Sequence, residues 1–403
     1  AASRLRASAG RCPQRRAAAR GISVPDRLLE SLLAPCHDQG HSMPISSSAL
    51  PRWTLVAPLA AWLVLALSRV VPAEGFAIAF VAAALAGAVF SAVHHAEVVA
   101  HRVGEPFGTL VLAIAVTVIE VALIVSVMLS AGPEKAGLAR DTVFAAVMIV
   151  CNGIVGLCLL VGGWRHGEQD FQGRGATKAL AVLASLSVLS LVMPNYLSAA
   201  PGPRLSTSQL AFAGVSSLVL YGVFVFVQTV RHRDYFLIDG SADESVHAVP
   251  PSGRTALTSI AFLFVSLVAV VLLAKLLSPA VERTVLRLGA PEAAVGIVIA
   301  ALVLLPEGLA AVGAARANRL QTSMNLALGS ALASIGLTIP TVAAVFIWTG
   351  APLTLGIGAM ETVLLSLTLL VSTLTLSLGR TTVLHGVVHL SLFAAYLFLS
   401  ITH

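Results

Sequence analysis

Of 403 residues, 57% are hydrophobic and 11% are charged, and the mean hydropathy is +0.91. A soluble domain carries roughly a quarter charged residues, so a water-exposed globule is excluded and a polytopic α-helical membrane protein is expected. The formal charge of +6 does not argue for nucleic acid. Arg4, Arg6, Arg11, Arg15, Arg16, Arg20, Arg27 and Arg52 crowd the start of the chain, and the remaining cations sit mostly at helix ends, where they help set membrane orientation.

Residues 1–42 are Arg- and Ala-rich, hold no apolar run of spanning length and begin with Ala, while Met43 directly precedes the first hydrophobic segment. They read as an over-long gene start, with a basic targeting leader as the alternative; either way they lie outside the fold. A bilayer crossing takes about 20 apolar residues. On that measure Pro, Gly and charge punctuate spans near 53–71, 76–99, 106–130, 142–163, 178–199, 208–230, 256–277, 290–314, 322–348, 353–378 and 382–401. The boundary between the second and third is blurred by the polar groups of His94–Gly104. One sizeable hydrophilic loop, 231–255, leaves six spans before it and five after. If the N-terminus is cytoplasmic, the inside loops hold ten Lys and Arg residues against seven opposite, which favours N-in. Cys151 and Cys158 share one apolar run and read as small core hydrophobes.

An internal echo organises these spans. GEPFGTLVLAIAVTVIEVALI (104–124) matches APEAAVGIVIAALVLLPEGLAAV (290–312): each is a spanning helix with an acid near its start and a Glu inside. Each is followed by a helix of small and polar residues, DTVFAAVMIVCNGIVG (141–156) and TSMNLALGSALASIGLTIP (322–340). The expected organisation is a first helix in 43–75, a five-helix repeat in 76–230, the hydrophilic loop, and a second five-helix repeat in 256–403. An odd number of helices per repeat inverts the second in the bilayer, a recurrent plan of secondary transporters with a shared central site.

Glu120 and Glu307 lie inside their spans. A charged carboxylate there costs roughly 2.5–3.5 kcal/mol on the insertion scale and defaults to a functional reading; a single protonated Glu acting as interhelical glue is the bland alternative, which the pairing weakens. Pro306 lacks an N–H and crowds the carbonyl of Leu302, so a helix break exposing an oxygen ligand beside Glu307 is expected. Thr117 stands one turn before Glu120. Ser330, Ser334 and Thr338 recur at i, i+4 and i+8 as a hydroxyl stripe, near Asn325, Gly329 and Gly336; ordinary small-residue packing is the plain reading of that stripe. Carboxylates with neutral oxygens suit a hard cation such as Ca²⁺ or Na⁺. Burial and mutual repulsion also favour the protonated form of paired carboxyls, so cation and protons would compete for the same oxygens, which is the basis of antiport.

His94, Glu97 and His101 share one helical face and read either as a proton relay or cation entry path, or as interfacial polar residues. Glu105 and Glu292 stand beside prolines at helix starts, where acids favour the helix dipole or serve as outer gating groups. No metalloprotease, nucleophile-elbow or P-loop signature competes, so no enzyme activity and no tightly bound cofactor is expected. A passive cation channel and a non-transporting membrane scaffold remain as the other classes. The oligomeric state is open, a homo-oligomer included.

With these residues in hand, nearly the whole chain after Met43 resembles the bacterial calcium/proton antiporters of the Cha type, within the cation/Ca²⁺ exchanger superfamily. The most specific stretches are HRVGEPFGTLVLAIAVTVIEVALI (101–124), LLPEGLAAV (304–312) and NRLQTSMNLALGSALASIGLTIP (318–340), with RDTVFAAVMIV (140–150) and LHGVVHLSLFAAYL (384–397) in support. The resemblance implies two inverted five-helix repeats behind an extra first helix, in the inner membrane, exchanging Ca²⁺, or Na⁺ or K⁺, for protons. It places Glu120 and Glu307 at the two cation-binding glutamates, and Glu97 and Glu292 at outer acidic positions. One departure stands out: many exchangers carry Gly-Asn a turn before each central Glu, where this chain has Val116-Thr117 and Val303-Leu304. Neutral ligands then fall to Thr117, Ser330 or backbone carbonyls, and ion selectivity is left open.

Overall fold

A computed structural model describes residues 50–70, 76–104, 115, 117–118, 120–122, 124–125, 136–198, 202–232, 235–236, 251–287, 289, 291, 293–350 and 353–402. Among them the helices are α1 (Arg52–Leu67), α2 (Phe76–Val103), a helical segment within 115–125, α3 (Leu138–His166), α4 (Gly173–Tyr196), α5 (Thr207–Arg231), α6 (Gly253–Arg287), α7 (Ala293–Arg316), α8 (Leu320–Thr349), α9 (Ala359–Leu376) and α10 (Val383–Thr402). Counting the segment, that is one extra helix and two sets of five. Nine of them, α2 to α10, are long and apolar enough to cross a membrane, while large apolar side chains such as Phe76, Trp348 and Leu378 stand exposed on the outside. This is a multi-pass membrane protein.

Local chemistry sets several boundaries. Ser206 and Gln209 form a capping box at the start of α5, satisfying orphan N–H groups of the first turn. Gly350 closes α8 in the left-handed conformation, at φ 69°, a conformation glycine adopts without steric cost. α2 runs on to Val103, so the polar His94–Gly104 stretch belongs to its last turns and Gly104 breaks it at φ 76°.

The connections sort to two ends of the bundle. At the end holding the start of α1, the near end, the α3–α4 connection pairs with the α9–α10 connection in a two-residue antiparallel ladder, Gln169 opposite Thr381 and Asp170 opposite Arg380. There too Gln169 Nε2 donates to Asn318 Oδ1 (2.7 Å) in the α7–α8 turn. At the far end, Thr354 N–H donates to the Ala136 carbonyl (3.0 Å), Gly356 N–H to Pro203 (3.1 Å) and Ile357 N–H to Leu191 (2.9 Å). Chain order and these two networks agree only if every helix crosses, which inverts the second five relative to the first. The packing respects that symmetry: α2 lies along α6, the first helix of each set, while α3 packs on α10 and α5 on α8, third against fifth both ways.

The apolar core has two main parts. The larger one joins α3 to α5 and α7 to α10, while the smaller joins α1, α2 and α6, with Val303 of α7 at their junction. α1 is tied to α2 through a backbone vacancy of its own making. Pro58 lies inside α1 and has no N–H, so the carbonyl of Thr54 lacks its helical donor. Ser91 Oγ (2.7 Å) and His95 Nε2 (3.1 Å) of α2 donate to that carbonyl instead, and the His95 ring stacks on Phe262 of α6 at 5.5 Å. Where α3 crosses α10, contact is backbone to backbone. A Cβ on Gly386 would stand 2.7 Å from Leu160 Cα, and one on Gly163 2.7 Å from the Val383 nitrogen.

Candidate cation site

Glu120 is carried by the helical segment within 115–125 and Glu307 by the middle of α7. Both are buried, at 2% and 9% exposure. Ser334 of α8 donates to Glu120 Oε2 at 2.8 Å. Glu120 Oε1 and both carboxyl oxygens of Glu307 are buried without a hydrogen-bond partner. Glu307 interacts electrostatically with Glu120 and with Glu97 of α2. Helices from both sets of five thus deliver carboxyls to one place. A buried carboxylate with unpaired oxygens is strongly unfavourable unless a proton or a cation joins it.

The hydroxyl stripe Ser330, Ser334 and Thr338 is carried by α8. Ser334 and Thr338 are buried, Thr338 Oγ1 without a partner, while Ser330 is half-buried. Thr117 is buried one turn before Glu120. Asn325 is engaged elsewhere: its Nδ2 donates to the Phe236 carbonyl (2.7 Å) and its Oδ1 accepts from Gln321 (2.9 Å). Nine residues separate it from Ser334, about 13 Å along the helix, so it braces the near end of α8 and does not face the glutamates. The expected break at Pro306 is also corrected, because α7 runs unbroken from Ala293 to Arg316 with Pro306 inside it. The neighbouring turns keep their hydrogen bonds, and the missing N–H alone is too small a loss to end the helix.

The polar face of α2 divides. Glu97 is exposed and interacts electrostatically with His101 and with Glu307. His94 packs instead against Trp53 of α1, ring centroids 5.6 Å apart, and belongs to the α1–α2 contact. Glu105 and Glu292 lie outside the described residues. Sequence reasoning missed Asn152, fully buried in a π-helical turn (Ile149–Ile154) of α3. Its Nδ2 donates to Thr368 Oγ1 at 2.8 Å and its Oδ1 has no partner. An amide inside the apolar run MIVCNGIVG was the available signal, and π turns gather at functional sites. Among the described residues no group of three or more His, Cys, Asp and Glu side chains comes together. Any cation held here relies on the two carboxyls and on neutral oxygens.

Residues 74–230 and 258–402 match the family described as sodium/calcium exchanger protein. This chain belongs to that family. Relatives of the exchanger include the y4hA protein of Sinorhizobium fredii, 51% identical over 88% of this chain and 98% of that protein. Another is the sodium-potassium/proton antiporter ChaA of Escherichia coli, 39% identical over 76% of this chain and 84% of ChaA. Among solved structures, native YfkE superimposes with a TM-score of 0.68 at 15% identity, covering 87% of this chain and 100% of YfkE. The H⁺/Ca²⁺ exchanger CAX does so with 0.63 at 14%, covering 86% and 88%. At those identities the likeness establishes the exchanger fold.

Ser334→Ala tests the geometry of the exchanger's site. A hydrogen bond to a charged group is worth about 1.5–3 kcal/mol, so its loss should raise the KM for the transported cation by roughly tenfold or more, with the protein still folded. An unchanged KM across Ca²⁺, Na⁺ and K⁺ would remove Ser334 from the site.

Proposed function

We propose that this exchanger is a secondary antiporter of the bacterial inner membrane that exports a cation, Ca²⁺ or Na⁺ or K⁺, in exchange for protons. The observation that carries the reading is the pair Glu120 and Glu307, buried, interacting with each other, and left with three carboxyl oxygens that no protein group satisfies. Such a pair is loaded either by a cation or by protons, and exchange follows when loading from the two sides alternates. Two carboxylates balance the charge of one Ca²⁺ or of two protons, while the likeness to ChaA, a sodium-potassium/proton antiporter, supports Na⁺ and K⁺. Ser334, Thr338 and Thr117 supply neutral oxygens beside the carboxyls, and the Leu302 carbonyl, without a donor from Pro306, adds another. Exposed Glu97, with His101, gathers cations at the near end, which the loop charges make the cytoplasmic one with the N-terminus inside. No tightly bound cofactor takes part; the partners are inorganic cations, protons and lipid.

Reconstitution into proteoliposomes decides between antiport and its rivals. An imposed pH gradient should drive uptake of ⁴⁵Ca²⁺, ²²Na⁺ or ⁸⁶Rb⁺ against its own gradient. Downhill flux indifferent to pH identifies a passive channel, and no flux of any cation identifies a scaffold. Comparison of the three isotopes names the cargo.

A further inference from the structure

Away from the glutamates, a second titratable group is sealed in the membrane-spanning region. His389 of α10 is wholly buried. Its Nε2 lies 2.8 Å from Thr375 Oγ1 of α9. The Thr375 hydroxyl spends its own hydrogen on the Val371 carbonyl, at 2.9 Å. With that hydrogen so placed, the Thr375 oxygen accepts from His389 in the Nε2–H tautomer, in which Nδ1 is the basic nitrogen. Nδ1 has no hydrogen-bond partner, and the backbone of Cys151, in the π turn of α3, is the polar group that interacts with the ring.

Thr375 is one of three buried hydroxyls on the same face of α9, with Ser372 and Thr368 above it. Thr368 meets Asn152 in the π turn, while Ser372 Oγ and Asn152 Oδ1 are buried without partners. Orphaned polar atoms in a row are where protons or single waters pass through an otherwise apolar interior. At the other end, His385 sits one turn before His389, half-buried, and interacts with it electrostatically. Among the described residues no acid opposes the ring at close quarters: the acid of α9, Glu361, is 14 residues from Thr375, about 20 Å along the helix. α3 offers the thiols of Cys151 and Cys158, α7 has Glu307 in its middle, and beyond His385 lies the Arg380–Asp170 ion pair of the near end (3.1 Å).

We propose that His389 is a proton-carrying site distinct from the glutamate pair, entered past His385 and continued toward Asn152 by the polar file Thr375–Ser372–Thr368. Protons and cations then have different near-end approaches, one between α3, α9 and α10 and the other past Glu97. A proton taken up at Nδ1 makes the ring an imidazolium, and the ring returns to neutral when Nε2 gives its proton to the Thr375 oxygen while the Thr375 hydroxyl turns its own hydrogen from the Val371 carbonyl to the next oxygen of the file, so that each hydroxyl accepts one proton and passes one on. This inference rests on the antiport reading above.

The test uses the full chain in proteoliposomes and reads two fluxes with ²²Na⁺ and ⁴⁵Ca²⁺: uptake driven by a pH gradient, and tracer self-exchange without one. In His389→Gln, driven uptake should fall by about a hundredfold, the lower end of the range lost with a proton-transfer group, and its pH profile should change, while self-exchange stays at the wild-type rate. Thr375→Val preserves shape, removes the acceptor and should show the same split. Equal loss of both fluxes in Thr375→Val, or loss of neither in both variants, overturns the proposal. A wild-type protein without pH-driven uptake overturns the antiport reading and this one together, and that result appears before any variant is made.

Discussion

Glu120→Gln and Glu307→Gln should each reduce pH-driven cation uptake to the level of protein-free vesicles while leaving the protein folded. The fold is spared because the amide of Gln can still engage Ser334 at position 120, and Glu307 has no hydrogen bond to lose. Transport is not spared. Two unit charges 4 Å apart at an effective dielectric constant near 20 attract by about 4 kcal/mol, so deleting one carboxylate from a cation site forfeits roughly a thousandfold in affinity. The same change removes a group that can take up and release a proton, so neither branch of the exchange survives. Flux assays paired with thermal unfolding in detergent separate lost function from lost structure. Retained uptake in both variants, with normal unfolding, would move the site away from these residues.

The second large effect is on stability. Gly386→Ala should destabilise the protein by about 1–3 kcal/mol, and Gly386→Leu by more. The new Cβ would meet the backbone of Leu160, with no flexible side chain to yield, so α10 would have to lift from α3. Close approach of helices in lipid depends on such small residues, because no hydrophobic drive holds helices together there. α3 is the most enclosed of the spanning helices among the described residues, and separating it from α10 would loosen the π turn that positions Asn152. Thermal unfolding in detergent measures the loss. A Gly386→Ala protein as stable as wild type would show that the crossing tolerates a wider separation.

Hydropathy and loop charge made most of the fold legible, for a physical reason: in hydrocarbon the backbone must satisfy itself, so apolar length alone locates helices. The errors lie where helices leave the apolar run. α6 extends to Arg287, past a span expected to end near 277, because Pro279 is tolerated inside it and Glu282 and Arg283 can be solvated at its end. The two glutamates were visible as charges out of place and Ser334 as part of a periodic stripe. Asn325 was grouped with that stripe by closeness in sequence, but nine residues before Ser334 it lies about two and a half turns nearer the near end and on the opposite side of α8. His95 and Asn152 were overlooked because their meaning lies in partners on other helices, the Thr54 carbonyl and the Thr368 hydroxyl, which no local pattern discloses.

The Pro58 substitution in the backbone ladder of α1 bears on how the protein is made. A Thr54 carbonyl without its helical donor suits neither lipid nor an apolar interface, and its two donors belong to the next helix in the chain. The Thr54 carbonyl is therefore satisfied within the α1–α2 pair, without a donor from any later helix. α1 and α2 can enter the bilayer as a pair joined at that carbonyl, and Phe262 of α6 then finds the stacking face of His95 already set. The extra helix thus serves biogenesis as well as architecture: it presents the opening strut of the first repeat, already braced, to its counterpart in the second.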